Sequence, residues 1–109
     1  MAYRRRILGR RRLIYKASFT PLAKEDKKEI KMYLSNFYPE TPKRFSSALR
    51  KHIFNIKENP YMYPIYSENP NYRRMIVDNY IVLYQIIEEV KEIKISRILR
   101  ASWDLPKYI

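Results

Sequence analysis

A chain of 109 residues with 46% apolar side chains can build one packed domain, leaves no room for two, and is not a disordered composition. One glycine (Gly9), one histidine (His52) and no cysteine exclude glycine-rich phosphate loops, histidine-rich metal sites, disulfides and thiolate zinc sites. The 23 Lys and Arg against 11 acids, a net charge of +12, instead favour polyanionic partners such as nucleic acid, a ribosome or an acidic protein.

No cofactor and no metal are expected, and a cysteine-free chain suits a reducing cytoplasm. No apolar run approaches the ~18 residues of a membrane span, and no apolar stretch follows the N-terminal arginines as in a secretory signal. Half of the net charge sits in the first twelve residues, on Arg4, Arg5, Arg6, Arg10, Arg11 and Arg12. Residues 1–12 read as a flexible arm, dispensable for folding, that is either a clamp on nucleic acid or a solvated tail. Residues 13–109 form the domain.

Leu13 to Phe19 is short, β-branched and aromatic, the composition of a strand. Thr20-Pro21 then signals a helix start, with Glu25 and Asp26 placed early, where the helix dipole favours anions. Ala23, Ile30, Leu34 and Phe37 recur at helical spacing, and Lys27 sits on the same stripe, its stem able to cover the core edge. After a break at 36–40, Thr41-Pro42 repeats the start signal, and Phe45, Leu49, His52, Ile53 and Ile56 mark one face of a second helix. Asn59-Pro60 ends it, and two helices joined so closely must pack as an antiparallel hairpin.

Residues 61–72 read as an ordered loop held by its tyrosines. Three strands follow: Arg73 to Val77, a turn at Asp78-Asn79, a central strand Tyr80 to Ile87 that is apolar on both faces, a turn at 88–91, and Glu92 to Leu99. Residues 100–109 form a tail with Trp103 and Pro106. The expected fold is α+β: a mainly antiparallel four-stranded sheet packed against an α-helical hairpin, in the order β-α-α-β-β-β. Leu34, Phe37, Phe45, Leu49, Ile53, Ile56, Val82, Tyr84 and Ile95 are expected in or near its core.

From about Ile14 onward the chain resembles the RelE/ParE superfamily of toxins. FTPLAKEDKKEIKMYL is similar to the family's first helix, NPYMYPIYSENPNYRRMIVDNYIVLYQI to its loop and hairpin, and EIKISRILRASWD to its last strand and exit. The combination in this order carries the resemblance, since no single element is specific. Many relatives read I-L-H-G-x-R-D after the last strand. Here Arg100 stands at the histidine, Ala101 at the glycine and Trp103 at the arginine. Lys27 likewise replaces the usual leucine of the first helix.

The resemblance implies the toxin of a type II toxin–antitoxin pair, neutralised by a small co-produced antitoxin whose acidic segment would suit a +12 chain. Two targets are open. In the RelE branch, ribosome-bound mRNA is cut without a metal, which requires proton transfer and cations at the scissile phosphate. Arg73, Arg74, Arg97 and Arg100 are the catalytic candidates. In a regular strand Arg73 and Arg74 point to opposite faces, as do Arg97 and Arg100, and any of them can equally be surface charge or pair with Asp78 and Glu92. In the ParE branch, DNA gyrase is bound and stalled, which needs no acid or base. The absence of the tail histidine favours gyrase, because arginine is a poor proton shuttle. His52, on an apolar face, reads as packing rather than catalysis, as do Tyr80 and Tyr84. A nontoxic nucleic-acid-binding protein on the same fold is the alternative from another class, and no membrane partner is expected.

Overall fold

The computed structural model describes residues 15–37 and 39–101. The arginine arm and the tail beyond Ala101, with Trp103 and Pro106, lie outside them. Along the chain run β1 (Lys16–Phe19), α1 (Pro21–Leu34), α2 (Thr41–Glu58), β2 (Arg73–Val77), β3 (Tyr80–Ile87), a 3-10 turn (Glu88–Val90) and β4 (Glu92–Arg100). This is the β-α-α-β-β-β order read from the sequence.

The four strands lie in the order β1-β4-β3-β2. The β2–β3 and β3–β4 pairs are antiparallel, whereas β1 runs parallel to β4, with Lys16 opposite Glu92 and Phe19 opposite Ile95. The sheet is therefore mixed, with one parallel pair on a mainly antiparallel frame. That pair arises because the chain's first strand closes onto its last, after the helical hairpin has carried the chain across the sheet.

Local chemistry sets the helix ends. Thr20 leaves β1 in an extended conformation, and its hydroxyl accepts the Ala23 amide at 3.1 Å, so it caps α1 ahead of Pro21. Thr41 does not repeat this role. The tight inter-helix turn already holds Glu40 in the helical region (φ −82°, ψ −13°), so α2 starts one residue earlier and has no side-chain cap. Neither Glu25 nor Asp26 lies in the first turn of α1. Their effect is not on the dipole, and Asp26 acts elsewhere, as described below.

The inner face of the sheet packs against the hairpin. Met75, Val77, Tyr80, Val82, Tyr84, Ile93, Ile95 and Ile98 meet Ala23, Ile30, Phe45, Leu49 and Ile56 there. The outer face buries Ile81, Leu83 and Leu99 beside Tyr66 and Tyr72. A bulge makes both faces possible. Leu83 pairs with Arg97 but Tyr84 pairs with Ile95, which leaves Ser96 as the extra residue and shifts the alternation of β4. Ile95 and Ile98, three apart, consequently share the inner face.

Of the expected core residues, Leu34 and Ile53 pack at its edge, and Phe37 is 56% exposed. The helical phase that placed Phe37 on the apolar stripe ends at Leu34, where the Ser35 amide closes onto the Lys31 carbonyl. Phe37 rests edge-on against Tyr33 instead, at 5.1 Å between ring centroids. Lys27 behaves as its position suggests, half-buried with its ammonium 4.8 Å from the centre of the Phe19 ring. The loop 61–72 is ordered by its surroundings: the Tyr84 hydroxyl donates to the Pro60 carbonyl at 2.7 Å, and the Tyr66 amide to the Tyr72 carbonyl at 2.8 Å.

Leu49 is almost fully buried between α2 and the sheet. Its replacement by alanine is expected to destabilise the domain by about 2–5 kcal/mol in denaturant titrations, leaving a cavity that the hairpin only partly closes.

Candidate functional site

Where α1, α2 and the β2–β3 turn meet, an open cleft forms around Tyr80. On the α1 side it holds about 290 Å³, bounded by Asp26, Glu29, Ile30 and Tyr33 with Ile98 and Arg100 across from them. On the α2 side it widens to about 570 Å³, bounded by Leu34, Thr41, Arg44, Phe45 and Ala48 and by Asp78 and Asn79 of the turn. Tyr80 forms the floor of both parts, its ring held at 5.1 Å in an edge contact with Phe45. The β2–β3 turn is a two-residue one, in which Asp78 takes a φ of 55°, a region that aspartate tolerates better than most side chains. The Asn79 carbonyl receives the Ala101 amide at 3.0 Å, which fixes the turn against the end of β4.

The four candidate arginines do not share a site. Arg100 lines the cleft, its guanidinium carbon 4.5 Å from the centre of the Tyr33 ring. Hydrogen bonding to Tyr33, chiefly, raises the Arg100 pKa further above its ordinary value, so it is a permanent cation. Arg73 is half-buried and points to the loop, donating to the Tyr63 carbonyl at 2.7 Å and lying 4.9 Å from the centre of the Tyr61 ring. Arg74 is exposed, next to Arg73 on β2 and so on the opposite face of the strand.

Arg97 is bound to Asp26. Its Nε donates to one carboxylate oxygen at 2.8 Å and its Nη2 to the other at 3.1 Å. The first oxygen also accepts the Ile98 amide at 2.9 Å. Both side chains are largely buried, at 19% and 12% exposure. The partners expected from sequence, Asp78 and Glu92, are not those that Arg97 takes.

His52 is half-buried on α2, its Nδ1–H donating to the Ala48 carbonyl at 2.7 Å, and it is not part of the cleft lining. Tyr33 and Arg44, which sequence reading passed over, do line it. The signal for Tyr33 was an aromatic ring off the apolar stripe, three residues after Ile30. The cleft thus combines an apolar floor and an aromatic wall with Asp26 and Glu29 facing Arg100 on the α1 side and Arg44 facing Asp78 on the α2 side. Among the described residues no group of histidines and carboxylates could hold a metal ion, and no helix is long and apolar enough to cross a membrane.

A second polar cluster lies at the opposite end of β3. Glu88 accepts the Tyr15 hydroxyl at 2.7 Å, the Lys91 ammonium at 2.6 Å and the Tyr61 hydroxyl. Hydrogen bonds from Lys91, Tyr61 and Tyr15 pull the Glu88 carboxyl down to about 2, and the same carboxylate pushes Tyr61 up to about 12. Lys91 permits this by taking a left-handed conformation with a φ of 54°. The cluster ties the residue preceding β1, the loop and the β3–β4 turn together, and is structural.

The fold is that of solved toxin–antitoxin proteins. A chain of the chromosomal ParDE system from P. aeruginosa superposes with a TM-score of 0.70 at 18% identity, over 82% of this chain and 98% of that one. A chain of the RelBE2 toxin–antitoxin complex from Mycobacterium tuberculosis gives 0.60 at 21% identity, over 79% and 96%. One from the intact E. coli RelBE complex gives 0.58 at 15% identity, over 82% and 99%. No curated protein matches the sequence. The class is therefore the RelE/ParE-like α+β fold. Residues 17–105 match the family described as the ParE toxin of the type II toxin–antitoxin system parDE, so the chain belongs to the ParE toxin family.

Two measurements check the roles assigned here. Asp26→Ala strands the Arg97 guanidinium and the Ile98 amide together and should destabilise the fold by about 3 kcal/mol in urea titrations. Asp26→Asn, which still accepts the amide, should cost less. For Glu88 the folded value lies below its ordinary 4.5, so its stabilisation is present above about 4.5 and is lost as pH falls through about 2. Thermal midpoints of the wild type should fall more steeply over that window than those of Glu88→Gln.

Proposed function

We propose that this toxin arrests growth by binding DNA gyrase as a protein ligand, with the cleft around Tyr33, Tyr80 and Arg100 as its recognition surface. The observation that carries the reading is the divergence of the strand arginines. Cleaving RNA without a metal would require cations to converge on one phosphate beside a group that moves a proton. Here Arg97 is bound to Asp26, Arg73 is turned into the loop, Arg74 lies on the other face of β2, and Arg100 alone lines the cleft. Arg100 holds a charge but cannot exchange a proton at physiological pH. Membership of the ParE family supports the same target.

The partner that restrains the toxin is a co-produced antitoxin with an acidic toxin-binding segment, in keeping with the net charge of +12. The arm residues Arg4, Arg5, Arg6, Arg10, Arg11 and Arg12 add nonspecific attraction to nucleic acid. The protein works in the cytoplasm, where gyrase acts.

Purified toxin should inhibit supercoiling by gyrase and leave ribosome-bound transcripts whole. Arg100→Ala and Tyr33→Ala should each weaken that inhibition about 30-fold, the size expected when an interface anchor contributing about 2 kcal/mol is removed. Codon-dependent transcript cleavage by the purified protein would replace this reading with the ribosomal one. Normal growth with intact transcripts and unaffected gyrase would leave the nucleic-acid-binding alternative.

A further inference from the structure

Apart from the cleft, the outward face of α2 carries a stripe of cations around an open ring. Lys43, Ser47, Arg50, Lys51 and Phe54 follow at i, i+4, i+7, i+8 and i+11, one face over three turns, and all five are exposed. The helix turns Phe45, Leu49 and Ile56 into the core, so the stripe is what it presents to solvent. Its five cations, Lys43, Arg44, Arg50, Lys51 and Lys57, stand against a single acid, Glu58, in the last position. Lys43, Arg50 and Lys51 form no ion pair with a described residue.

Phe54 is 47% exposed and lies within one turn of both Arg50 and Lys51. The other exposed rings among the described residues are occupied: Tyr33 and Phe37 pack edge-on against each other, and the Arg73 guanidinium covers Tyr61. Phe54 has no described ring or cation against it. An exposed phenylalanine alone needs no explanation. A free ring set among uncompensated cations supplies both parts of a single-strand platform, charge for the backbone and a π face for a base.

We propose that this face of α2 binds single-stranded nucleic acid, with phosphates on Lys43, Arg50 and Lys51 and one unpaired base stacked on Phe54. Other occupants fit less well. A duplex satisfies the cations but keeps its base faces stacked inside, out of reach of the ring. An anionic membrane surface calls for a broad apolar face, and Phe54 is the one exposed large apolar side chain on α2. An acidic peptide would match the charge, but its apolar residues would meet a single ring on a convex helix. None of the five stripe residues lines the cleft, so the proposal stands apart from the gyrase reading.

The test uses the full-length chain and fluorescein-labelled 12-nucleotide thymidine and uridine strands, followed by anisotropy. A 12-base-pair duplex, phosphatidylglycerol vesicles and a glutamate-rich peptide are measured beside them. Phe54→Ala and Phe54→Leu should each weaken single-strand binding about tenfold, the effect of losing one base–aromatic stack, and leave duplex binding unchanged. Phe54→Trp should restore it. Arg50→Gln/Lys51→Gln should reduce the salt slope by about 1.4, two phosphate contacts to a single strand, whereas Lys24→Gln/Lys28→Gln, on α1, should keep the wild-type preference for single strands over duplex. The tighter of the two strands identifies whether the site takes DNA or RNA. Phe54 variants that bind both strands like the wild type, or that lose duplex and single-strand binding equally, would overturn the proposal. So would tighter, Phe54-dependent binding of the vesicles or the peptide.

Discussion

Asp26 lies on the half of α1 that faces the sheet, level with the point where β1 has ended and β4 would otherwise present an open edge. One of its carboxylate oxygens accepts both the Arg97 guanidinium and the Ile98 amide, and the other takes a second guanidinium proton. A buried N–H left without a partner destabilises a fold by about 1–3 kcal/mol, so the carboxylate does for β4 what a longer β1 would have done. Next to it, Thr20 caps α1 while its hydroxyl donates to the Ser96 carbonyl at the bulge. The bulge, the end of β1 and the start of α1 are thus one hydrogen-bonded unit. It sets the angle at which the hairpin crosses the sheet, and with that angle the cleft around Tyr80.

The same unit decides what chemistry is left. A chain with 23 basic side chains looks well supplied with cations, yet two of the four strand arginines are employed in holding elements together. Arg97 joins helix to sheet, and Arg73 joins loop to sheet through the Tyr63 carbonyl. What remains open is a surface of rings and fixed charges. Such a surface can bind tightly through a few buried anchors without transferring a proton.

Much of the architecture was legible because it is local. Helical spacing at Phe45, Leu49 and Ile56, the proline stop after Asn59 and the two-sided apolar run of β3 each follow from short-range periodicity. The parallel closure of β1 on β4 and the Asp26–Arg97 pair join residues more than seventy positions apart, where no local period reaches. One clue to the pair was present: Asp26 falls three residues after Ala23 and four before Ile30, on the buried stripe, where an acid demands a partner. Phe37 misled because its spacing continued a helix that had already ended. The Ser96 bulge left no trace beyond isoleucines at 95 and 98 that a regular strand would have placed on opposite faces.

The position of β4 also governs when this protein can exist. Among the described strands it is the last in chain order, yet it lies inside the sheet, flanked by β1 and β3. The helical hairpin and the β2–β3 ribbon rest on near neighbours and can form as the chain emerges from the ribosome. The sheet cannot close until Glu92–Arg100 has been synthesised, and contacts of such long sequence separation form slowly. A nascent or prematurely terminated chain therefore lacks the wall of the cleft that carries Ile98 and Arg100. The wall is thus completed only when a strand from the far end of the fold has been paired between β1 and β3.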